Sequence, residues 1–95
     1  ENHYLMMNLL QNWDLKIDPS VLKTFTKIPK KYATTLDFVI KNLPSNPYFG
    51  DIQKLKGEDE SWRRRVGPYR IFYKIRITEK VILVYKVEKR TSNTY

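Results

Sequence analysis

Apolar and polar residues alternate through Trp13-Asp14-Leu15-Lys16-Ile17-Asp18, the two-residue period of a half-buried strand. Asp18-Pro19 then offers a helix N-cap followed by proline at the first helical position. Val21, Leu22, Phe25 and Ile28 recur at helical spacing up to Pro29. Beyond it Tyr32, Leu36, Val39, Ile40 and Leu43 form one apolar face, which Pro44 and Asn46-Pro47 stop. So short a connection predicts an antiparallel pair of helices. From Asp51 the period returns to two. Ile52 and Leu55 mark a short strand closed by Gly57, and Glu58-Asp59-Glu60 an acidic loop. Strands are expected over 62–66, 69–76 and 81–88, with turns at Gly67-Pro68 and Thr78-Glu79-Lys80 and a polar, exposed tail over 89–95.

Strand, two helices and a meander predict an α+β fold of two layers. Its N-terminal strand and α-helical hairpin pack on a mostly antiparallel twisted β-sheet. The 95 residues are the length of one domain. Residues 1–12 show neither a turn signal nor a clean period, and read as an extension or a vector-derived segment, with Met6 and Met7 as candidate starts.

Strand alternation also sorts the charges. Trp62 and Val66 turn toward the helices, so Arg63 and Arg65 turn away from them. Tyr69, Ile71, Tyr73 and Ile75 face the core, which leaves Arg70, Phe72, Lys74 and Arg76 on the open face. In the last strand Leu83, Tyr85 and Val87 are expected inside, with Val84, Lys86, Glu88 and then Arg90 outside. Arg63, Arg65, Arg70, Lys86 and Arg90 thereby converge on one cationic surface. Arg64 shares the parity of Trp62, so it either reaches past the sheet edge or sits at a shifted register.

Composition narrows the chemistry. Without cysteine there are no disulfides, thiolate metal sites or thiol nucleophiles, and the single histidine, His3, excludes histidine-based triads. No apolar run approaches the ~18 residues of a membrane span, and no signal peptide is apparent. The expectation is a soluble cytoplasmic protein with no membrane association. Eighteen Lys+Arg against ten Asp+Glu give a net charge of +8. The excess is concentrated in residues 49–95, where twelve bases face six acids and all six arginines lie. Guanidinium groups suit forked recognition of phosphate, so the partner read from this asymmetry is a polyanion. A merely solvated basic surface is the plainer alternative.

Three stretches taken in order, Lys54-Leu55-Lys56-Gly57, Trp62-Arg63-Arg64-Arg65-Val66-Gly67 and Tyr69-Arg70-Ile71-Phe72-Tyr73, resemble the RelE/ParE toxin superfamily. The ending Lys89-Arg90-Thr91-Ser92-Asn93-Thr94-Tyr95 resembles its RelE branch, and the likeness runs from Trp13 to Tyr95. The resemblance implies a toxin of a type II toxin–antitoxin pair, an endoribonuclease that cleaves mRNA in the ribosomal A site. A ribose 2′-OH attacks the adjacent phosphate, without metal or other cofactor. The implied partners are a cognate antitoxin and the ribosome with its mRNA. By position, Arg63, Arg65 and Arg70 correspond to cations at the scissile phosphate. Arg90 matches the proposed general acid, and Tyr95 a tyrosine that stacks on a base. Lys74, Arg76, Lys86 and Lys89 are further RNA-binding candidates.

One position departs from the family pattern. Where the family has a lysine assigned as general base, this chain has Arg63, and a guanidinium is a poor base near neutrality. Asp51, Lys54, Lys56 and Glu60 are the alternative candidates. Two other functions stay open: a ParE-like inhibitor of DNA gyrase that cuts no nucleic acid, and a catalytically degenerate member that binds RNA or antitoxin.

Overall fold

In the computed structural model residues 13–90 are described; the expectations for residues 1–12, His3, Tyr95 and the tail beyond Arg90 lie outside them. Chain order is β1 (Asp14–Ile17), α1 (Pro19–Phe25), α2 (Lys30–Asn42), β2 (Ile52–Lys54), β3 (Ser61–Val66), β4 (Tyr69–Arg76) and β5 (Val81–Lys89). The five strands form one sheet in the order β1-β5-β4-β3-β2, parallel between β1 and β5 and antiparallel elsewhere. Both helices lie on one face of it, as the two-layer expectation requires.

Local chemistry sets the helix boundaries. Asp18 Oδ1 accepts the Ser20 N–H at 2.9 Å, and Pro19 occupies the first turn. The same backbone and side-chain hydrogen bonding to Ser20 holds the Asp18 carboxyl below the usual carboxylate range. No side chain caps α2; the Pro29 carbonyl accepts from Tyr32 and Ala33 instead.

The core joins Val21, Leu36, Ile40 and Leu43 to Tyr69, Ile71, Tyr73 and Ile75 of β4 and to Ile82, Val84 and Val87 of β5. Burying an aliphatic side chain of this size contributes about 1.5–3 kcal/mol, so the helices are held mainly against these two central strands. Leu22, expected on the apolar face of α1, is exposed. The Tyr73 hydroxyl crosses the core and donates to the Pro47 carbonyl at 2.7 Å. Burial pushes its pKa up to about 12, partly offset by the Arg64 charge, so it remains a neutral donor.

The last strand departs from simple alternation. Phe72 pairs with Lys86 but Tyr73 pairs with Val84, which leaves Tyr85 as an extra residue in a β-bulge. Ile82, Val84 and Val87 are therefore buried. Leu83 and Tyr85, expected inside, belong to the open face, while Val84, expected outside, is in the core. Beyond the bulge the parity is restored, and Lys86 and Glu88 lie on the open face as expected.

Candidate active site

The open face is organised in rows that cross the strands. The row that pairs two arginines is fixed by the β3–β4 hairpin. Gly67 takes a φ of 57°, and Pro68, whose ring forbids positive φ, follows it, the φ pattern of a type II′ turn. Val66 thereby pairs with Tyr69, and Arg65 stands directly opposite Arg70. Two like charges at such a pair repel, and a carboxylate flanks each. On the β2 side the Asp51 carbonyl accepts the Arg65 N–H at 2.9 Å, with Asp51 Oδ2 3.9 Å from Arg65 Nε. On the β5 side Glu88 pairs with Arg70, and its oxygens lie 3.0 Å from Arg70 Nη2 and 3.2 Å from Lys86 Nζ. The row thus reads acid, arginine, arginine, acid.

One step along the strands the row is Gln53, Arg63, Phe72, Lys86. Arg63 Nη2 donates to Gln53 Oε1 at 2.5 Å, which fixes the guanidinium over the sheet. Lys74 lies in the next row, opposite Leu83, with Lys16 of β1 on the far side of that leucine. Arg76 is six residues from Arg70, roughly 20 Å along β4, at the opposite end of the face. Arg90 lies just past β5, exposed, with its N–H on the Pro68 carbonyl at 2.7 Å.

Other predicted residues are not gathered here. Lys54 pairs with Trp62 and so belongs to the helix-side parity. Lys56 and Glu60 lie in the connection between β2 and β3, where Glu60 has a φ of 65°. Lys89 pairs with Tyr69, again on the helix side, so it does not extend the cationic face. Arg64 also points to the helix side, with no register shift in β3. Its guanidinium stacks on Phe49 at 5.6 Å from the ring centroid. It packs so closely on Gly50 (φ 92°) that a Cβ there would come within 2.6 Å.

Two features escaped the sequence reading. Glu88 is expected on the open face two residues from Lys86, but its grip on Arg70 depends on strand pairing that local sequence does not encode. The bulge brings Tyr85 beside Phe72, with ring centroids 6.3 Å apart. Lys86 Nζ sits 5.3 Å from the Phe72 ring and Lys74 Nζ 5.7 Å from that of Tyr85.

The arrangement suits an anion. An anion bridging Arg65 and Arg70 relieves their repulsion and meets two forked donors. Arg63 Nη1 and Arg70 Nε are buried without a hydrogen-bond partner among the described residues, which therefore leave donors of both guanidinium groups unsatisfied. Among the described residues no cluster of three His, Cys, Asp or Glu could hold a metal ion, and no helix is long and apolar enough to cross a membrane.

Residues 15–93 match the family model described as ParE toxin of type II toxin–antitoxin system, parDE. A protein of Methanocaldococcus jannaschii named as toxin RelE1 is 30% identical over 81 residues, covering 82% of this chain and 90% of that relative. The archaeal RelE–RelB complex from Pyrococcus horikoshii superposes with a TM-score of 0.74 at 27% identity, over 85% of this chain and 98% of the matched one. The isolated RelE toxin of E. coli shares the fold, with a TM-score of 0.71 at 24% identity, over 85% and 87% of the two chains.

Proposed function

The chain belongs to the ParE toxin family of type II toxin–antitoxin systems, within the RelE/ParE superfamily, and from that membership we propose that it is a ribosome-dependent endoribonuclease cleaving mRNA in the A site. The observation that carries this reading is the pair Arg65 and Arg70, facing each other across two rigid strands with Arg63 one row away. In the proposed reaction the ribose 2′-OH loses its proton and attacks the adjacent phosphorus. The P–O bond to the next 5′-oxygen breaks, leaving a 2′,3′-cyclic phosphate and a protonated 5′-OH. Arg65 and Arg70 stabilise the charge that builds on the non-bridging oxygens, and Arg63 orients the phosphate. Arg90 is assigned to the departing 5′-oxygen, and Tyr95 to stacking on a base.

Asp51 is the preferred proton acceptor. It borders the arginine row, its side chain is 60% exposed, and Arg65 Nε is as far as 3.9 Å away. Glu88 is half as exposed, and both its oxygens are engaged by cations. Lys54 faces the wrong side of the sheet, and Lys56 and Glu60 are outside the rows.

A cognate antitoxin is the expected partner, as in the RelE–RelB complex of Pyrococcus horikoshii. Its acidic or amphipathic segment would wrap the toxin and fold as it binds. Action on ribosomes places the protein in the cytoplasm.

Translation in vitro followed by primer extension tests the activity. New 5′ ends at A-site codons are expected, with poor cutting of the same RNA without ribosomes. Efficient cleavage of a free oligonucleotide contradicts ribosome dependence. Arginine at the position of the family's lysine favours one alternative, a catalytically degenerate member that binds RNA or antitoxin and leaves the mRNA intact; a ParE-like gyrase inhibitor would also leave it intact but stop supercoiling.

A further inference from the structure

We propose that Phe72 and Tyr85, with Lys74 and Lys86 above them, form a nucleobase-stacking subsite for single-stranded RNA beside the arginine row. This inference rests on the nuclease reading only for the identity of the strand's reacting phosphate. Two facing residues place the subsite. Phe72 is directly opposite Arg63 on one side and Lys86 on the other. It is two residues from Arg70, one row of roughly 7 Å along the strand. A base whose phosphate rests on Arg63 or Arg70 therefore reaches the Phe72 ring without leaving the sheet.

Tyr85 joins it only because of the bulge. Under strict alternation its ring would enter the core. Instead the rings of Phe72 and Tyr85 lie side by side, 6.3 Å apart and inclined at 45°. Both are half-buried, so they are held in place yet retain an accessible face. The pair is neutral and apolar within a face that also carries Arg63, Arg65, Arg70, Arg76, Lys16, Lys74 and Lys86. A folded protein gains little by presenting two aromatic rings there. A single nucleic-acid strand needs both parts, cations for its phosphates and flat rings for its bases.

The lysines match that occupant. Each ammonium lies within 6 Å of a ring centroid, close enough for a cation–π contact. Lys86 remains 55% exposed. An incoming base displaces the ammonium from the ring, and the freed cation moves to the phosphate of the same strand. Charge complementarity selects RNA over an apolar protein helix, for which the lysines would carry a desolvation cost.

The test measures binding of the full chain, apart from cleavage, to a short 2′-O-methyl oligoribonucleotide that cannot react and to its abasic counterpart. Stacking predicts tighter binding of the base-bearing strand, by roughly 5- to 150-fold per stacked base. Phe72→Leu and Tyr85→Leu should each lose about tenfold of that preference while abasic binding and salt dependence stay unchanged. Phe72→Trp, which keeps a π-face, should retain it, and so separates lost stacking from a damaged fold. Equal affinity for the two strands overturns the proposal. So do leucine variants that bind as wild type, the result expected if the face were built for an apolar helix. The two readings separate cleanly: cleavage on ribosomes without base-dependent binding refutes the subsite alone, and base-dependent binding without cleavage refutes the nuclease alone.

Discussion

Arg65 and Arg70 are the residues on which the proposed chemistry most depends. Charge-assisted hydrogen bonds aimed at developing phosphorane charge favour the transition state over the bound ground state. Arg65→Ala or Arg70→Ala is expected to slow single-turnover cleavage on programmed ribosomes by roughly 10²–10³-fold, the size of effect seen for one lost oxyanion donor. Ribosome affinity should fall much less, because one cation among many is removed. Arg65→Lys should restore only part of the rate, since an ammonium cannot replace a bidentate fork. Wild-type cleavage by both alanine variants, once bound, contradicts the site. A residue of the core gives a second prediction. Tyr73→Phe removes the 2.7 Å bond to Pro47 and leaves a buried carbonyl without its donor. The expected cost is about 1–2 kcal/mol, a fall in Tm of roughly 4–15 °C for a domain of this size, with the arginine rows intact. Parity alone placed Arg63, Arg65 and Arg70 on one face, because each side chain's direction follows from its own strand. The partners Gln53, Asp51 and Glu88 were not legible as partners. They come from two separate segments, 51–53 and β5, and their contacts with the arginines exist only after the strands have paired.

Among the elements, the start of α1 was readable to the residue, because Asp18-Pro19 sets both a side-chain acceptor and a fixed φ; its end was not, since the helix stops at Phe25 short of Ile28 and Pro29. That cap also titrates. The folded carboxyl has a lowered pKa, so its ionised form contributes stability above the unfolded value near 3.8, and the contribution is lost as pH falls through the folded value. Asp18→Asn keeps an acceptor that does not titrate. Wild type should therefore melt higher than this variant at pH 5, with the gap narrowing as pH is taken below 3.8. A gap that stays constant across that range would mean the carboxylate charge is irrelevant to the cap. The bulge in β5 was not readable, because it contains neither glycine nor proline and Val81–Lys89 offers apolar residues at both parities. Register against β4 decides between them: Tyr73 requires Val84 beside it in the core. The same holds for Arg64, whose parity was legible but whose seat on Phe49 and Gly50, in place of a reach past the sheet edge or a shifted register, was not, since that loop precedes β2 and meets β3 only in the folded sheet.

At the scale of the molecule, the uneven charge of the sequence becomes a one-sided field. The arginines of β3 and β4 other than Arg64, with Lys16, Lys74 and Lys86, share the face opposite the helices. Binding of single-stranded RNA should accordingly weaken steeply with salt, log affinity falling with log salt at about −0.7 for each phosphate neutralised. Arg76→Ala, far from the reacting row, should make that slope shallower by about 0.7 while leaving the cleavage rate of bound mRNA unchanged. A slope equal to wild type would remove Arg76 from the RNA path. The two-layer fold itself was legible throughout, because the change from a period near four to a period of two divides helices from meander without reference to any tertiary contact.

The parallel pairing of β1 with β5 bears on the order of assembly. Asp14 must find Val81, whereas β3, β4 and β5 meet their neighbours through short hairpins. Closing the longer loop costs entropy before any contact repays it, so the meander should nucleate and β1 should dock last. Native-state hydrogen exchange is then expected to show the Asp14 and Asp18 amides, which donate to the Lys80 and Val84 carbonyls, released by smaller openings than those of Ile71 and Tyr73. Equal protection in the two strands would contradict that order. Because β5 stands between β1 and the paired arginines of β4 and β3, an excursion that frees β1 leaves Arg65 facing Arg70, and the anion-binding row outlasts the edge of its own sheet.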